Sequence, residues 1–113
     1  MRLETITIRE SGTPVNGTAI TSSFISDVFE IGGVAWTLNV WFDGAITGSP
    51  TFSVQVSNDT DTDSFIALGC ANNTQAPTII GDGIAEYKYF RIVYNDNGAT
   101  GGDKYFDFKR VCQ

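Results

Sequence analysis

The sequence contains no histidine. That absence excludes Ser/His and Cys/His nucleophile pairs and imidazole-ligated metal centres before any geometry is considered. Cysteine is scarce, with Cys70 and Cys112 alone. A bridge between them and two separate small buried or free thiols are both compatible with this composition. Basic residues are few: seven Lys and Arg stand against thirteen Asp and Glu, giving a net charge of -6 and a pI near 4.3. The longest basic run is Lys109-Arg110, so a nucleic-acid partner is not expected. No window approaches 18 consecutive apolar residues, which argues against a membrane-spanning helix. The opening Met1-Arg2-Leu3-Glu4 alternates instead of running from basic to apolar. The expectation is a soluble chain with no membrane partner and no export address.

What the chain does have is length for one core and a strong alternating pattern. For 12.2 kDa, surface scaling gives about 6,000 Å² folded against about 17,700 Å² unfolded, so roughly two-thirds of the chain surface can be buried without metal or disulfide staples. No compositional shift, repeat or low-complexity stretch divides the sequence, and residues 1–113 read as a single domain. From Val34 to Phe42, Val34, Trp36, Leu38, Val40 and Phe42 share one face while Ala35, Thr37, Asn39 and Trp41 share the other. This is the pattern of a half-buried strand. Thr51 to Ser57 repeats it, with Phe52, Val54 and Val56 inward and Pro50 placed before the run, where no ladder donor is needed. Tyr87 to Tyr94 puts Phe90, Ile92 and Tyr94 on one face and Tyr87, Tyr89, Arg91 and Val93 on the other. Lys104 to Val111 turns Phe106 and Phe108 inward, and Leu3 to Arg9 alternates around Ile6 and Ile8. Shorter strands are expected at Phe24 to Ile31, Phe65 to Leu68 and Thr78 to Ile80. The first of these also fits a helical spacing of Ile20, Phe24 and Val28, but its Ser and β-branched content favours a strand.

Turn-forming stretches separate these runs at Ser11 to Gly17, Asp43 to Ser49, Asn58 to Asp63, Ala71 to Pro77, Gly81 to Gly83 and Asn95 to Gly102, and they hold most of the 12 glycines. Such regular punctuation predicts an all-β fold, an antiparallel sandwich of about eight strands with negligible helix. The predicted core is Trp36, Leu38, Val40, Phe52, Val54, Val56, Phe90, Ile92, Phe106 and Phe108.

Chemistry-bearing patterns are weak. Asp59, Asp61 and Asp63 alternate as in the first half of a calcium loop, yet the positions that should hold Gly and a bidentate Glu hold Ser64 and Cys70. The expectation is a solvated loop whose Asx side chains bond their own backbone, with no metal and no cofactor. The acids lie mainly in loops or on outward positions, and Lys88, Lys104 and Lys109 read as exposed charges, so no catalytic residues are expected and the chain is not read as an enzyme. The glycine-rich segments do not open helices and read as turns rather than phosphate loops. Asn-x-Ser/Thr triplets at Asn16, Asn58 and Asn72 serve as loop markers. Trp41, Tyr87 and Tyr89 fall on outward positions near Arg91, a composition suited to a partner interface or a sugar platform. The same face is equally compatible with a cover formed by a loop or the N-terminal strand.

Several motifs carry a resemblance. Thr51-Phe52-Ser53-Val54-Gln55-Val56-Ser57-Asn58-Asp59, the strand Tyr87-Lys88-Tyr89-Phe90-Arg91-Ile92-Val93-Tyr94, Gly101-Gly102 and the closing Phe106-Asp107-Phe108-Lys109-Arg110 together resemble small virion structural proteins of tailed bacteriophages. The likeness runs from about residue 24 to residue 113. It departs from the family pattern after Asp59, where Thr60 and a longer acidic insertion precede Phe65. The resemblance implies a jelly-roll-like capsid decoration, or cement, protein on the outer surface of the virion, bound to the major capsid protein and to itself as a homodimer or homotrimer. The contacts would involve the N-terminal Arg2, Leu3 and Glu4 and the outward Trp41, Tyr87, Tyr89 and Arg91. The alternative is a carbohydrate-binding or host-adhesion module of a phage fibre.

Overall fold

The computed structural model describes residues 2–31, 35–71, 78–84 and 87–112, and for residues 62, 69–71, 78–84, 111 and 112 it describes the backbone alone. Its accessible surface is 5957 Å², as the mass scaling anticipates. In chain order the strands are β1 (Arg2–Thr5), β2 (Arg9–Glu10), β3 (Thr13–Pro14), β4 (Phe24–Ile25), β5 (Ala35–Asp43), β6 (Thr51–Ser57), β7 (Ile66–Ala71), β8 (Thr78–Ile84), β9 (Tyr89–Asn95) and β10 (Asp103–Cys112). Among the described residues the one helical segment is a 3-10 turn at Thr62–Ser64. Val34, Gly32-Gly33 and most of the loop ending at Pro77, Asn72 included, lie outside the described residues, and the pairing of Cys70 with Cys112 lies outside the described side chains.

Leaving aside the small β2–β3 hairpin, the strands pair in a nested series. β1 pairs β10, β4 pairs β9, β5 pairs β8 and β6 pairs β7, all antiparallel. That is one long hairpin, and it is rolled up by two further pairings, β10 with β5 and β9 with β6. The result is two four-stranded sheets, β1-β10-β5-β8 and β4-β9-β6-β7, which is the jelly-roll arrangement of a β-sandwich.

Alternation decides which side chains enter the core. In the second sheet the register sets Phe52 against Tyr94, Val54 against Ile92 and Val56 against Phe90. In the first it sets Leu38 against Phe108 and Val40 against Phe106. All ten predicted core residues are buried, joined by Ile8, Ile20, Phe24, Ile31, Ile46 and Tyr94. The interior is aromatic at both ends. Trp36 stacks on Phe108 at 5.6 Å and meets Phe90 edge-on at 6.2 Å. At the other end Phe52 packs on Tyr94 at 4.5 Å and on Phe106 at 5.5 Å. Aliphatic Leu38, Val40, Val54 and Ile92 fill the space between, and each such burial stabilises by about 1.5–3 kcal/mol.

The expected exposure of Lys104 is overturned. It shares the parity of Phe106 and Phe108, so the pleat turns it inward, and it is 6% exposed. Its ammonium lies 3.8 Å from Asp96 Oδ1, which also accepts a 2.7 Å hydrogen bond from the Tyr94 hydroxyl. This polar cluster closes one end of the sandwich beside the loops that follow β5 and β9. Burial, followed by the bond to Asp96, holds the Tyr94 phenol pKa well above its usual range. The neutral phenol is therefore the folded form, and its stabilisation is lost as pH rises past the ordinary phenol value. The same two loops meet at Thr47 and Thr100 through paired backbone bonds. A Cβ on Gly101 would come within 2.5 Å of the Ala45 carbonyl oxygen, so this close approach needs glycine.

The turn expected at Gly81 to Gly83 is instead a continuation of β8, while two other predicted strands are shorter than their patterns suggest. Leu3 to Arg9 splits because Asn16 takes over the ladder. Its amide nitrogen donates to Ile6 C=O at 3.1 Å and to Asp107 Oδ1 at 3.0 Å, while its oxygen accepts the Ile8 N–H at 3.0 Å. Phe24 to Ile31 keeps strand geometry only at Phe24–Ile25, because the Ser26 hydroxyl accepts the Ile92 N–H at 2.8 Å in place of a backbone carbonyl. The chain rejoins β9 at the Phe29–Phe90 bridge.

Two substitutions test this packing by chemical denaturation. Phe90→Ala is expected to cost about 3–5 kcal/mol, and a loss below about 1 kcal/mol would contradict the central position of this ring. Asn16→Ala leaves a backbone donor and acceptor without partners and is expected to cost about 1–3 kcal/mol; an unchanged denaturation midpoint would show that water replaces the amide at no cost.

Candidate interaction surfaces

The outward positions expected to form one aromatic surface are divided between opposite faces of the sandwich. On the outside of the first sheet, Trp41 lies directly opposite Tyr105, and their rings stack at 5.5 Å and 10°. Asn39 and Asp107 are the next outward pair along these strands. Asp107 is already engaged: Oδ1 accepts from Asn16 and from the Phe108 N–H, and Lys109 Nζ lies 3.8 Å from Oδ2. On the outside of the second sheet, Arg91 donates from Nε to Gln55 Oε1 at 2.7 Å and lies over the Phe65 ring at 4.4 Å. Tyr89 is two residues away, with Lys88 Nζ 5.4 Å from its ring centroid. Tyr87, expected outward, packs partly buried against the core. Alternation shows which residues point away from a core, but it carries no information about which sheet a strand joins.

The N-terminal segment is neither a free arm nor a cover over the aromatics. Arg2, Leu3 and Glu4 belong to β1, which extends the first sheet in its own plane beside β10. Glu4 sits between two guanidinium groups, 2.6 Å from Arg2 and 2.9 Å from Arg110. Arg110 also donates to the Ile31 carbonyl at 2.8 Å, tying β10 to the chain that enters β5.

A feature not read from the sequence is the position of the exposed large hydrophobic side chains. Among the described side chains they are Leu3, Ile25, Val28, Ile66 and Leu68, each between 39% and 56% exposed. Leu3 lies on β1, Ile25 on β4, and Ile66 and Leu68 on β7, which are edge strands, and Val28 follows β4. A shallow depression of about 480 Å³, lined by Ser23, Phe24, Ile25, Val93, Tyr94 and Asn95, runs beside β4. The signal for β7 was present in the unbroken apolar run Phe65 to Leu68, which has no polar alternate.

The acidic loop satisfies itself. Asp59 Oδ1 accepts the Asp61 N–H at 2.8 Å, and Asp61 Oδ1 accepts the Asp63 N–H at 3.1 Å, capping the 3-10 turn. The Ser64 hydroxyl lies 2.7 Å from Asp59 Oδ1 and 2.6 Å from the Ser57 hydroxyl. These are the Asx-type bonds expected of the sequence. Among the described residues, no group of three or more His, Cys, Asp or Glu is placed to hold a metal ion.

The Ser64 hydroxyl, and then the Asp61 N–H, hold the Asp59 carboxyl below its ordinary value of 3.8. Because the folded pKa is lowered, the resulting stabilisation is present above the ordinary value and is lost as pH falls through the lowered one. An NMR titration is expected to give Asp59 a midpoint below 3.8, and Ser64→Ala should move it upward. A midpoint that does not respond to this substitution would rule out the hydroxyl as the cause.

Comparison of the chain with protein-family models, with curated proteins and with solved structures finds no match.

Proposed function

We propose that this chain is a virion structural protein of the capsid-decoration type. It binds the outer surface of a phage head, stabilises contacts between neighbouring major capsid protein subunits, and acts without catalysis or cofactor. The observation that carries this reading is the placement of exposed Ile25, Ile66 and Leu68 on β4 and β7, the edge strands of the second sheet. Soluble proteins generally blunt their sheet edges with lysine, proline or bulges, and of these devices β7 carries a shift of register at Leu68, between Ala67 and Gly69. Edges bearing exposed apolar side chains instead suit main-chain addition to a partner, with the side chains filling its pockets. A sandwich of this kind serves viral shells and lectins alike, so the fold by itself does not choose between them.

The sugar-binding alternative draws on Trp41 and Tyr105 beside Asn39 and Asp107. It is less favoured, because each ring already spends one face on the other and Asp107 is bonded within the chain. Both readings are tested by mixing purified protein with undecorated phage shells and, separately, applying it to a glycan array. Stoichiometric uptake by shells without glycan binding is expected. Ile66→Lys and Leu68→Lys, both at exposed positions, should weaken uptake by about tenfold or more, equivalent to about 1.4 kcal/mol. Glycan binding abolished by Trp41→Ala, without shell uptake, would replace the proposal with the fibre-adhesion reading. Binding to neither would overturn both.

A further inference from the structure

β1 pairs with β10 along one side, and among the described residues no strand pairs with its other side. The Ile6 N–H donates to Phe108 C=O at 2.9 Å, which fixes the phase of the ladder. Backbone groups alternate sides along a strand. Those of Glu4 and Arg2 therefore turn toward β10 with Ile6, while those of Leu3 and Thr5 turn toward the open side. The Leu3 side chain projects on the outer face and is 56% exposed. Arg2 and Glu4 project on the opposite face, with 73% of the Arg2 side chain exposed.

We infer that two copies of this chain pair antiparallel along β1, about a two-fold axis through Leu3. Leu3 then lies opposite the Leu3 of the second copy as a hydrogen-bonded pair, N–H to C=O in both directions, as its outward-turned backbone groups require. Arg2 lies opposite the second copy's Glu4, and Glu4 opposite its Arg2. The tripeptide Arg2-Leu3-Glu4 is its own complement under this operation.

Charge selects the register. With Leu3 and Thr5 supplying the outward groups, only registers shifted in steps of two residues along the second copy keep hydrogen bonds. A shift in one direction places Arg2 opposite Arg2, and a shift in the other places Glu4 opposite Glu4. Like charges directly opposite each other are destabilising. Inward-pointing charges commonly protect an edge from pairing. Here the opposite signs two residues apart lift that protection for an antiparallel copy of the same strand. The two sheets become one, with β1 beside β1 at its centre. The contact is short and the association correspondingly weak in solution. It does not depend on whether the docking partner is a capsid.

Sedimentation equilibrium of the full chain over a wide concentration range tests this. The average mass is expected to rise from 12.2 kDa toward twice that value. Arg2→Glu places like charges at both ends of the register and should weaken self-association by about tenfold or more, an effect of about 1.4 kcal/mol. Leu3→Pro should do the same, because it removes the outward N–H while leaving the bonds to β10 in place. Copies carrying Arg2→Glu mixed with copies carrying Glu4→Lys should form a heterodimer in which both pairs are again unlike, and this rescue also excludes misfolding as the cause of the loss. A chain that stays monomeric at its highest soluble concentration would overturn the inference. So would a dimer unaffected by both variants, or a trimer, since a two-fold edge contact closes at two copies.

Discussion

The antiparallel ladder between β5 and β10, in register from Ala35–Val111 to Asp43–Asp103, is the constraint from which the other features follow. It stacks Trp36 near Phe108 on the inner face and Trp41 on Tyr105 on the outer face. It also brings Lys104 inward to meet Asp96. β10 is longer than its other neighbour, so its two halves are covered separately. β1 covers the stretch from Lys109 to Cys112, and the backbone of Gly17 and Ile20 bonds to Phe106 and Lys104. At the changeover the backbone cannot serve both partners, and the Asn16 amide supplies the missing donors and acceptor. Buried backbone groups without partners are costly, so this half-buried polar side chain at the join has more effect on the fold than its place in a turn-forming stretch of the sequence would suggest.

The edges of the sheets are treated differently. The β2–β3 hairpin is tied to the segment that follows β4, its Ser11 and Gly12 N–H groups both donating to the Asp27 carboxylate, at 3.0 and 2.8 Å. Ser11 and Gly12 both have positive φ there, which turns two successive donors toward one anion. β1 carries charges of both signs, and β7 presents apolar side chains to solvent.

Much of the architecture was legible from periodicity alone. A core-facing set of alternate apolar residues has one consistent reading in a sandwich, because a one-residue slip would expose every member, and Trp36, Leu38, Phe52, Val54, Phe106 and Phe108 follow it. Less legible was anything that depends on which strands become neighbours. Trp41 and Arg91 share outward parity, yet they lie on opposite faces because β5 and β9 belong to different sheets. Lys104 was misread from its residue type when its parity already placed it inward. Asn16 looked like a loop marker because the bonds that matter join it to residues up to 91 positions away in sequence, a relation no local pattern encodes. Exposed apolar side chains on edge strands were hidden for the same reason, since a strand becomes an edge only when the full order is known.

The two proposed contacts use separate parts of the molecule. Self-pairing consumes β1, an edge of the first sheet. Ile25, Ile66 and Leu68 lie on β4 and β7, the edges of the second sheet, and remain open in a dimer joined through β1. Each dimer then offers two copies of the same docking edges, related by the two-fold axis. On a surface with regularly repeated sites, the second contact forms at a high effective concentration and can raise the overall affinity by about 10²–10⁴ without any new interaction. Under the proposed function a short, weak β1 contact would be sufficient, because it would only have to couple two docking events while the repeated surface supplied the remaining affinity. A strong solution dimer would add little to this mechanism, whereas loss of the two-fold would reduce each copy to its single docking contact.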